Sequence, residues 1–306
     1  MSPVAAGTGA FSYDRPGRLV RLPDGRRMNF RCMGHGSPTV LLESGFGADS
    51  SIWGTVQSQV ALVTRVCAYD RAGYAFSDPG PLPRDGAAVA RDLDRGLEAA
   101  GIPGPFVVVG HSAGGLYARL FAARRRGEVK GLIFIDTSIP YQDRRMAAAL
   151  GPGAGGVEGI QRRVQACLDA TSGPRGKTIA AAVDNCLPKR GGPHARLVAL
   201  RAASWRNQLS EINTLFTTTS DQVSRMGELL KDIPAIVLTA SRTDPAVPPE
   251  DAGAALWRSM HRELAASFEK GDQRVVRSSH LMMNDRPQVI IDAIVEQAVK
   301  ASAPRP

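Results

Sequence analysis

The sequence predicts an α/β fold, a mostly parallel sheet flanked by helices and carrying one long helical insertion. Three observations predict it. The apolar run Phe106-Val107-Val108-Val109 passes through Gly110-His111-Ser112-Ala113-Gly114 directly into Gly115-Leu116-Tyr117-Ala118-Arg119-Leu120-Phe121, a strand, a tight turn and a helix. Thr39-Val40-Leu41-Leu42, Leu132-Ile133-Phe134-Ile135 and Pro234-Ala235-Ile236-Val237-Leu238-Thr239-Ala240 are further apolar strands. Between the last two of these lie residues 139–232, with helical patterns clearest from Ala195 to Phe216. The expected division is therefore a core of residues 1–138 and 233–306 and an inserted helical lid of residues 139–232.

The pentapeptide at 110–114 is a G-x-S-x-G in the context that gives the pattern meaning, with a strand before it and a helix after it. The turn is so tight that the residues flanking Ser112 must lack bulk, which glycine supplies on both sides. Its hydroxyl then stands at a helix N-terminus, where unpaired N–H groups favour developing negative charge. Ser112 is the expected nucleophile.

Its base is sought among the histidines downstream, His194, His261 and His280. His280 follows the strand-like Arg274-Val275-Val276-Arg277 and precedes a helical pattern opening at Pro287, so it sits on the loop between the last strand and the last helix. His261 falls inside a helical pattern and reads as a surface or packing residue. His194 follows a Gly-Gly-Pro turn, and His111 is too close to Ser112 in sequence to aim at it across the turn. For the acid, Asp244 lies on the loop at the carboxyl end of strand 234–240, where open parallel sheets place catalytic groups. A carboxylate there would hold the second imidazole nitrogen and fix its tautomer. Asp136, at the end of the preceding strand, is the alternative acid; its plainer reading is a turn cap for Thr137-Ser138.

Val66-Cys67-Ala68-Tyr69-Asp70-Arg71-Ala72-Gly73-Tyr74-Ala75-Phe76-Ser77-Asp78 is similar to the D-x-x-G-x-G-x-S loop of one superfamily, with Ala75-Phe76 where a second glycine is usual. Together with Ser112, Asp244 and His280 in that order, it makes the chain resemble a lid-bearing α/β-hydrolase of the esterase/lipase superfamily over nearly its whole length. The resemblance implies an eight-stranded sheet and a serine hydrolase cleaving a carboxylic ester or lactone. It also implies an oxyanion hole of two N–H donors, one from Ala113 and one from the loop after strand three, Glu43-Ser44-Gly45-Phe46-Gly47, where Phe46 is the expected donor. Ser44 stands where the H-G-x-G version of that loop has histidine, removing a side chain that often braces it. Asp70 and Arg71 are expected to brace the loops around the site. The same triad serves thioesterases, amidases, peptidases and cofactor-free haloperoxidases, and a ligand-binding receptor on the hydrolase scaffold is the alternative of another class. Epoxide hydrolases and haloalkane dehalogenases are disfavoured, because they carry aspartate where Ser112 stands.

In this fold strand two, Met28 to Cys32, lies beside strand four, Arg65 to Cys67, so Cys32 and Cys67 could form a disulfide. Cys167 and Cys186 both fall in the insertion, where a bridge would restrict its unfolded states. Four packed thiols are the alternative. Residues 1–10 lack the charged start and apolar middle of a signal peptide. The expected location is secreted or periplasmic if a signal has been removed and the cysteines pair, and cytoplasmic otherwise.

Composition excludes several classes. No run of eighteen apolar residues suggests a membrane span. Gly151-Pro152-Gly153-Ala154-Gly155-Gly156 is literally a G-x-G-x-x-G, but it follows no strand and contains proline, so it reads as a hinge. With no P-loop and no metal-ligand cluster, no cofactor or metal is expected. The formal net charge is +9, with +4 on residues 1–31 and +5 on residues 141–232, which leaves the catalytic core neutral. Such a basic lid either steers anionic substrates or is a solvated face. No aromatic platform supports nucleic-acid binding. The expected partner is a small ester or lactone; the sequence leaves the oligomeric state open.

Overall fold

A computed structural model describes residues 13–172, 185–187, 193–242 and 251–302. Its strands are β1 (Arg18–Arg21), β2 (Arg27–Met33), β3 (Thr39–Glu43), β4 (Val66–Tyr69), β5 (Phe106–His111), β6 (Val129–Ile135), β7 (Ala235–Ala240) and β8 (Gly271–Val276). They form one eight-stranded sheet in the order β1-β2-β4-β3-β5-β6-β7-β8. β2 runs antiparallel to both of its neighbours, and every other pairing is parallel.

Alternation along the central strands builds two cores, because successive side chains leave a strand on opposite faces. Phe106 and Val108 of β5 join Leu41, Leu132, Phe134 and Val237 on one face. Val107 and Val109 join Val40, Leu42, Ile133, Ile135 and Ile236 on the other. A strand buried on both faces needs the continuous apolar runs that the sequence supplies.

Helices cover both faces. In chain order they are α1 (Gly54–Val60), α2 (Gly86–Ala100), α3 (Gly114–Arg124), α4 (Gln142–Leu150), α5 (Val157–Ser172), α6 (Pro193–Ala199), α7 (Ala202–Leu215), α8 (Thr218–Ser224), α9 (Gly227–Leu230), α10 (Ala252–Ala266), α11 (Met282–Asp285) and α12 (Pro287–Ser302). The apolar residues of α1 and α12 fill the second core. Those of α2, α3 and α10 fill the first. Local signals agree with these bounds: Asp85 caps α2 at the Ala88 N–H, and Gly101 ends it at a φ of 63°.

Every described regular element between β6 and β7 is a helix. The insertion is not uniform, however. α8 and α9 pack on the core helix α3. α7 and α8 are tied to the segment before and at the start of α2: Asn207 Oδ1 accepts from the Gly80 N–H (2.9 Å), Ser210 Oγ from the Arg84 N–H (2.9 Å) and Gln222 Oε1 from the Ala87 N–H (2.9 Å). Residues 202–230, expected as part of a lid, are thus built into the body of the domain. The helical pattern read through 195–216 breaks at residues 200–201 into α6 and α7.

Cys32 and Cys67 face each other in the β2–β4 register and are disulfide-bonded, as are Cys167 of α5 and Cys186. Among the described residues no helix is long and apolar enough to cross a membrane, and no group of three or more His, Cys, Asp or Glu could hold a metal ion.

Candidate active site

Ser112 leaves the end of β5 with a φ of 52°, the strained left-handed conformation expected of a nucleophile elbow. The glycines of the pentapeptide are demanded by close approach. A Cβ on Gly110 would lie 2.6 Å from the Gly114 carbonyl oxygen, and one on Gly114 would lie 2.5 Å from the Glu43 carbonyl oxygen. The second clash ties the elbow to the loop after β3. There, neither the Phe46 nor the Ala113 N–H donates to an acceptor among the described residues. Both residues line the cavity that holds Ser112 and His280.

His280 lies on the loop between β8 and α12, where sequence reasoning expects it. Its Nδ1 is 2.7 Å from Asp136 Oδ2. A carboxylate can only accept, so Nδ1 carries the proton and Nε2 carries the free lone pair. Asp136 follows β6, is fully buried, and adopts a φ of 40°. Its other oxygen, Oδ1, accepts from the Trp257 indole (2.7 Å) and the Ala240 backbone N–H (3.0 Å). Burial pushes the carboxyl up, but the hydrogen bond and charge of His280, with help from His261 and Trp257, hold it below the usual range. It is therefore ionised at neutral pH.

Of the two acids read from the sequence, only Asp136 lies among the described residues. The Nδ1 proton can serve one strong acceptor, and Asp136, the alternative named from the sequence, takes it. Asp244 lies outside the described residues. The turn cap read for Asp136 is a partial description: the carboxylate does bind backbone, but at Ala240 of the neighbouring strand.

Two further residues, His111 and Trp257, support His280 and Asp136. His111 reaches past the elbow and donates from Nε2 to the His280 carbonyl oxygen at 3.0 Å, with the two rings 4.7 Å apart. Burial drives its pKa down to about 3, with the neighbouring His280 adding to the effect, so it is a neutral donor. Trp257, which the sequence analysis did not single out, donates its indole N–H to Asp136. His261 is fully buried, with Nδ1 2.9 Å from Thr239 Oγ1 and Nε2 2.8 Å from the Thr137 carbonyl. It is a packing residue of the strand ends, as one of its two readings held. His194 stacks on Phe76 with 3.6 Å between centroids, away from the cavity.

The loop after β3 is braced from below. Arg71 donates to the carbonyl oxygens of Ser44 (2.6 Å) and Gly45 (2.8 Å), to Glu43 Oε1 (2.8 Å), and pairs with Glu211 Oε1 of α7 (3.1 Å). Tyr69 donates to the other oxygen of Glu43, and Tyr117 to Glu211 Oε1 (3.1 Å). Burial pushes Glu43 up to about 7, against the opposing pull of Arg71. Ser44 does bracing of its own, donating to the Asp49 carbonyl (3.0 Å) and accepting from the Trp53 indole (3.0 Å). The missing histidine therefore costs the loop little. Asp70 binds Asn29 Nδ2 (2.7 Å) and the Ser50 N–H (3.0 Å), so the loop-bracing role expected of Asp70 and Arg71 is met in the structure.

The cavity measures about 470 Å³. One wall is apolar, formed by Met146 of α4, Val157 and Ile160 of α5, Ile212 and Leu215 of α7, and Phe216. The glycine-rich stretch read as a hinge joins α4 to α5 and contributes Ala154 and Gly155 to the same wall.

Comparison with known proteins agrees with this architecture. A family model described as the alpha/beta hydrolase family matches residues 40–293. A curated relative, "Probable transporter efuK" of Hormonema carpetanum, is 35% identical over 115 residues, covering 36% of this chain and only 16% of that protein. Among solved structures, a thermophilic esterase from Thermogutta terrifontis superposes with a TM-score of 0.63 at 21% identity, covering 94% of this chain and 99% of that one. The enol-lactonase from Burkholderia xenovorans LB400 gives 0.63 at 16% identity, covering 92% and 100%. At such identities these likenesses speak to the fold alone.

Proposed function

The chain belongs to the alpha/beta hydrolase family, and we propose that it is a serine hydrolase cleaving carboxylic esters or lactones through an acyl-enzyme. The observation that carries this reading is the 2.7 Å contact between His280 Nδ1 and Asp136, in a cavity that His280 shares with Ser112. An imidazole held in that tautomer presents a basic Nε2, the requirement for activating a serine hydroxyl.

In this mechanism Ser112 Oγ attacks the carbonyl carbon as its proton passes to His280 Nε2. The imidazolium that forms is stabilised by the ionised Asp136. The oxyanion of the tetrahedral intermediate is held by the N–H groups of Phe46 and Ala113, which have no competing acceptor among the described residues. Collapse breaks the bond to the alcohol oxygen, which takes the proton from His280. Water then attacks the acyl-enzyme, giving its proton to His280, which returns it to Ser112 as the acid departs. The apolar wall from α4, α5 and α7 suits the acyl chain. The printed names of two structural neighbours, an esterase and an enol-lactonase, support the same bond type.

A fluorophosphonate probe tests the nucleophile. Rapid labelling that disappears in Ser112→Ala is expected; folded protein that does not label would favour a binding protein on the same scaffold. A panel of p-nitrophenyl esters from acetate to palmitate, with thioester and anilide counterparts, then separates esterase from thioesterase and amidase activity.

A further inference from the structure

A second hollow adjoins the catalytic cavity. It measures about 460 Å³ and is lined by Arg242, Arg277, Ser278, Ser279, Asp285 and Arg286. Arg242 lines both spaces. The hollow is built on the loop that carries the base, because Ser278 and Ser279 immediately precede His280. That loop is pinned in three places. The Ser279 N–H donates to Asp285 Oδ2 (2.7 Å), Arg286 Nε donates to the Arg277 carbonyl (3.1 Å), and the Arg242 N–H donates to the Ser278 carbonyl (3.3 Å).

Among the described residues the guanidinium groups of Arg277 and Arg286 share the hollow with one carboxylate, Asp285, and that carboxylate is engaged by a backbone N–H. Among the described residues neither Arg277 nor Arg286 forms a salt bridge to a carboxylate, whereas Arg26, Arg71, Arg84, Arg125 and Arg274 all do. The hollow therefore has a net positive charge and offers N–H donors in the fork geometry that suits an oxyanion.

Its position relative to the chemistry says which part of a substrate would meet it. In the acyl-enzyme mechanism His280 hands its proton to the leaving alcohol, so the alcohol lies on the His280 side of the scissile bond and the acyl chain on the other. The apolar wall of α4, α5 and α7 suits the acyl side, and the arginine hollow is built on Ser278 and Ser279, which carry the chain into His280. Resting on the ester-hydrolase reading, we propose that the natural substrate joins an apolar acyl group to an alcohol bearing an anionic group, a carboxylate or a phosphate, that docks against Arg277 and Arg286. The basic charge that matters is then on the core at the base loop, rather than on the insertion where the sequence concentrates it.

The test compares kcat/KM for three hexanoyl esters with related leaving groups: 4-hexanoyloxybenzoate, its neutral methyl ester, and 4-hexanoyloxyphenyl phosphate. Wild type should favour an anionic ester over the neutral one by about tenfold, the scale of one charge-assisted contact. The preferred anion identifies carboxylate or phosphate as the source. In Arg277→Gln/Arg286→Gln the ratio should fall toward one. In Arg162→Gln/Arg163→Gln, on the insertion, it should persist. A carboxylate moved to the acyl side, as in phenyl hydrogen adipate, should gain nothing. A wild-type ratio of one or less, or a ratio that the Arg277/Arg286 change leaves intact, overturns the proposal while the neutral ester still reports an active esterase. Failure to hydrolyse the neutral ester as well overturns the ester reading, and this proposal with it.

Discussion

Replacing Asp136 with asparagine is the sharpest perturbation of the site, because the geometry dictates how the new amide must sit. Oδ1 of Asp136 accepts from two donors, the Trp257 indole at 2.7 Å and the Ala240 N–H at 3.0 Å. Only the amide oxygen can take that place, since an NH₂ there would face two N–H groups in a fully buried position. The NH₂ is then turned toward His280 Nδ1, 2.7 Å away, and as a donor it requires an unprotonated Nδ1. The imidazole proton moves to Nε2, the nitrogen that must be bare to accept from Ser112. The fold loses little, because all three contacts can still be made, but the base is in the wrong tautomer. The expected loss in kcat is ~10⁴-fold, the scale known when a triad aspartate becomes asparagine, or about 5 kcal/mol of transition-state stabilisation. The assay is steady-state hydrolysis of p-nitrophenyl butyrate, with thermal unfolding to confirm that the variant folds. Asp244→Asn, measured beside it, should retain most activity. If Asp136→Asn keeps wild-type kcat while Asp244→Asn is inactive, the tautomer argument fails and the acid is Asp244.

Other consequences are as direct. Glu211→Gln removes the insertion's hold on Arg71; kcat should fall by up to about 10²-fold, the lower end for losing an oxyanion donor, with KM little changed and a boronic-acid inhibitor weakened in parallel. A Glu211 role confined to packing would lower Tm and leave inhibitor affinity unchanged. His111 has a native pKa of about 3 against an ordinary value of 6.5, so the unfolded chain binds a proton that the native state does not. Its contribution is complete above pH 6.5 and is lost as pH falls toward 3, at roughly 1.4 kcal/mol per unit; denaturant titrations of His111→Gln should show a shallower loss over that window. The two disulfides predict no free thiols when unreduced protein is denatured and titrated, and Cys167→Ser/Cys186→Ser should lower stability by about 3 kcal/mol for its short loop.

The framework of the site was legible because it is written in local patterns. Close packing at the elbow leaves room only for glycine at 110 and 114, so a pentapeptide between a strand and a helix announces itself. His280 was legible from its place between a strand pattern and a helix opening at Pro287. The choice between the two acids was not legible in the sequence, for a physical reason. Asp136 and Asp244 both follow apolar strands, β6 and β7, which are neighbours in the sheet, and a residue at the end of either can approach the last loop. What separates them is the far side of the pocket: the Trp257 indole and the Ala240 N–H converge on Asp136 from 121 and 104 residues away. No local pattern encodes that convergence. His111 escaped notice similarly, since its partner is a backbone carbonyl 169 residues distant.

The insertion carries the deeper lesson, because its sequence shows amphipathic helices without saying what each face meets. α7 presents Ile212 and Leu215 to the catalytic cavity. From the same helix Glu211, 2% exposed, reaches Arg71 beneath the oxyanion loop. Arg71 in turn holds the carbonyls of Ser44 and Gly45, and so sets the direction of the next N–H, that of Phe46. Such a buried ion pair is a poor source of stability, since desolvation cancels much of its attraction. Its value here is geometric. Arg71 lies between two carboxylates and over the rings of Tyr74 and Tyr117, 4.6 Å and 5.3 Å from their centroids, so it has little freedom to move. A helix that lines the cavity is thereby mechanically joined to the proposed oxyanion donor. Substitutions on its cavity face that shift α7 should consequently alter kcat as well as chain-length preference.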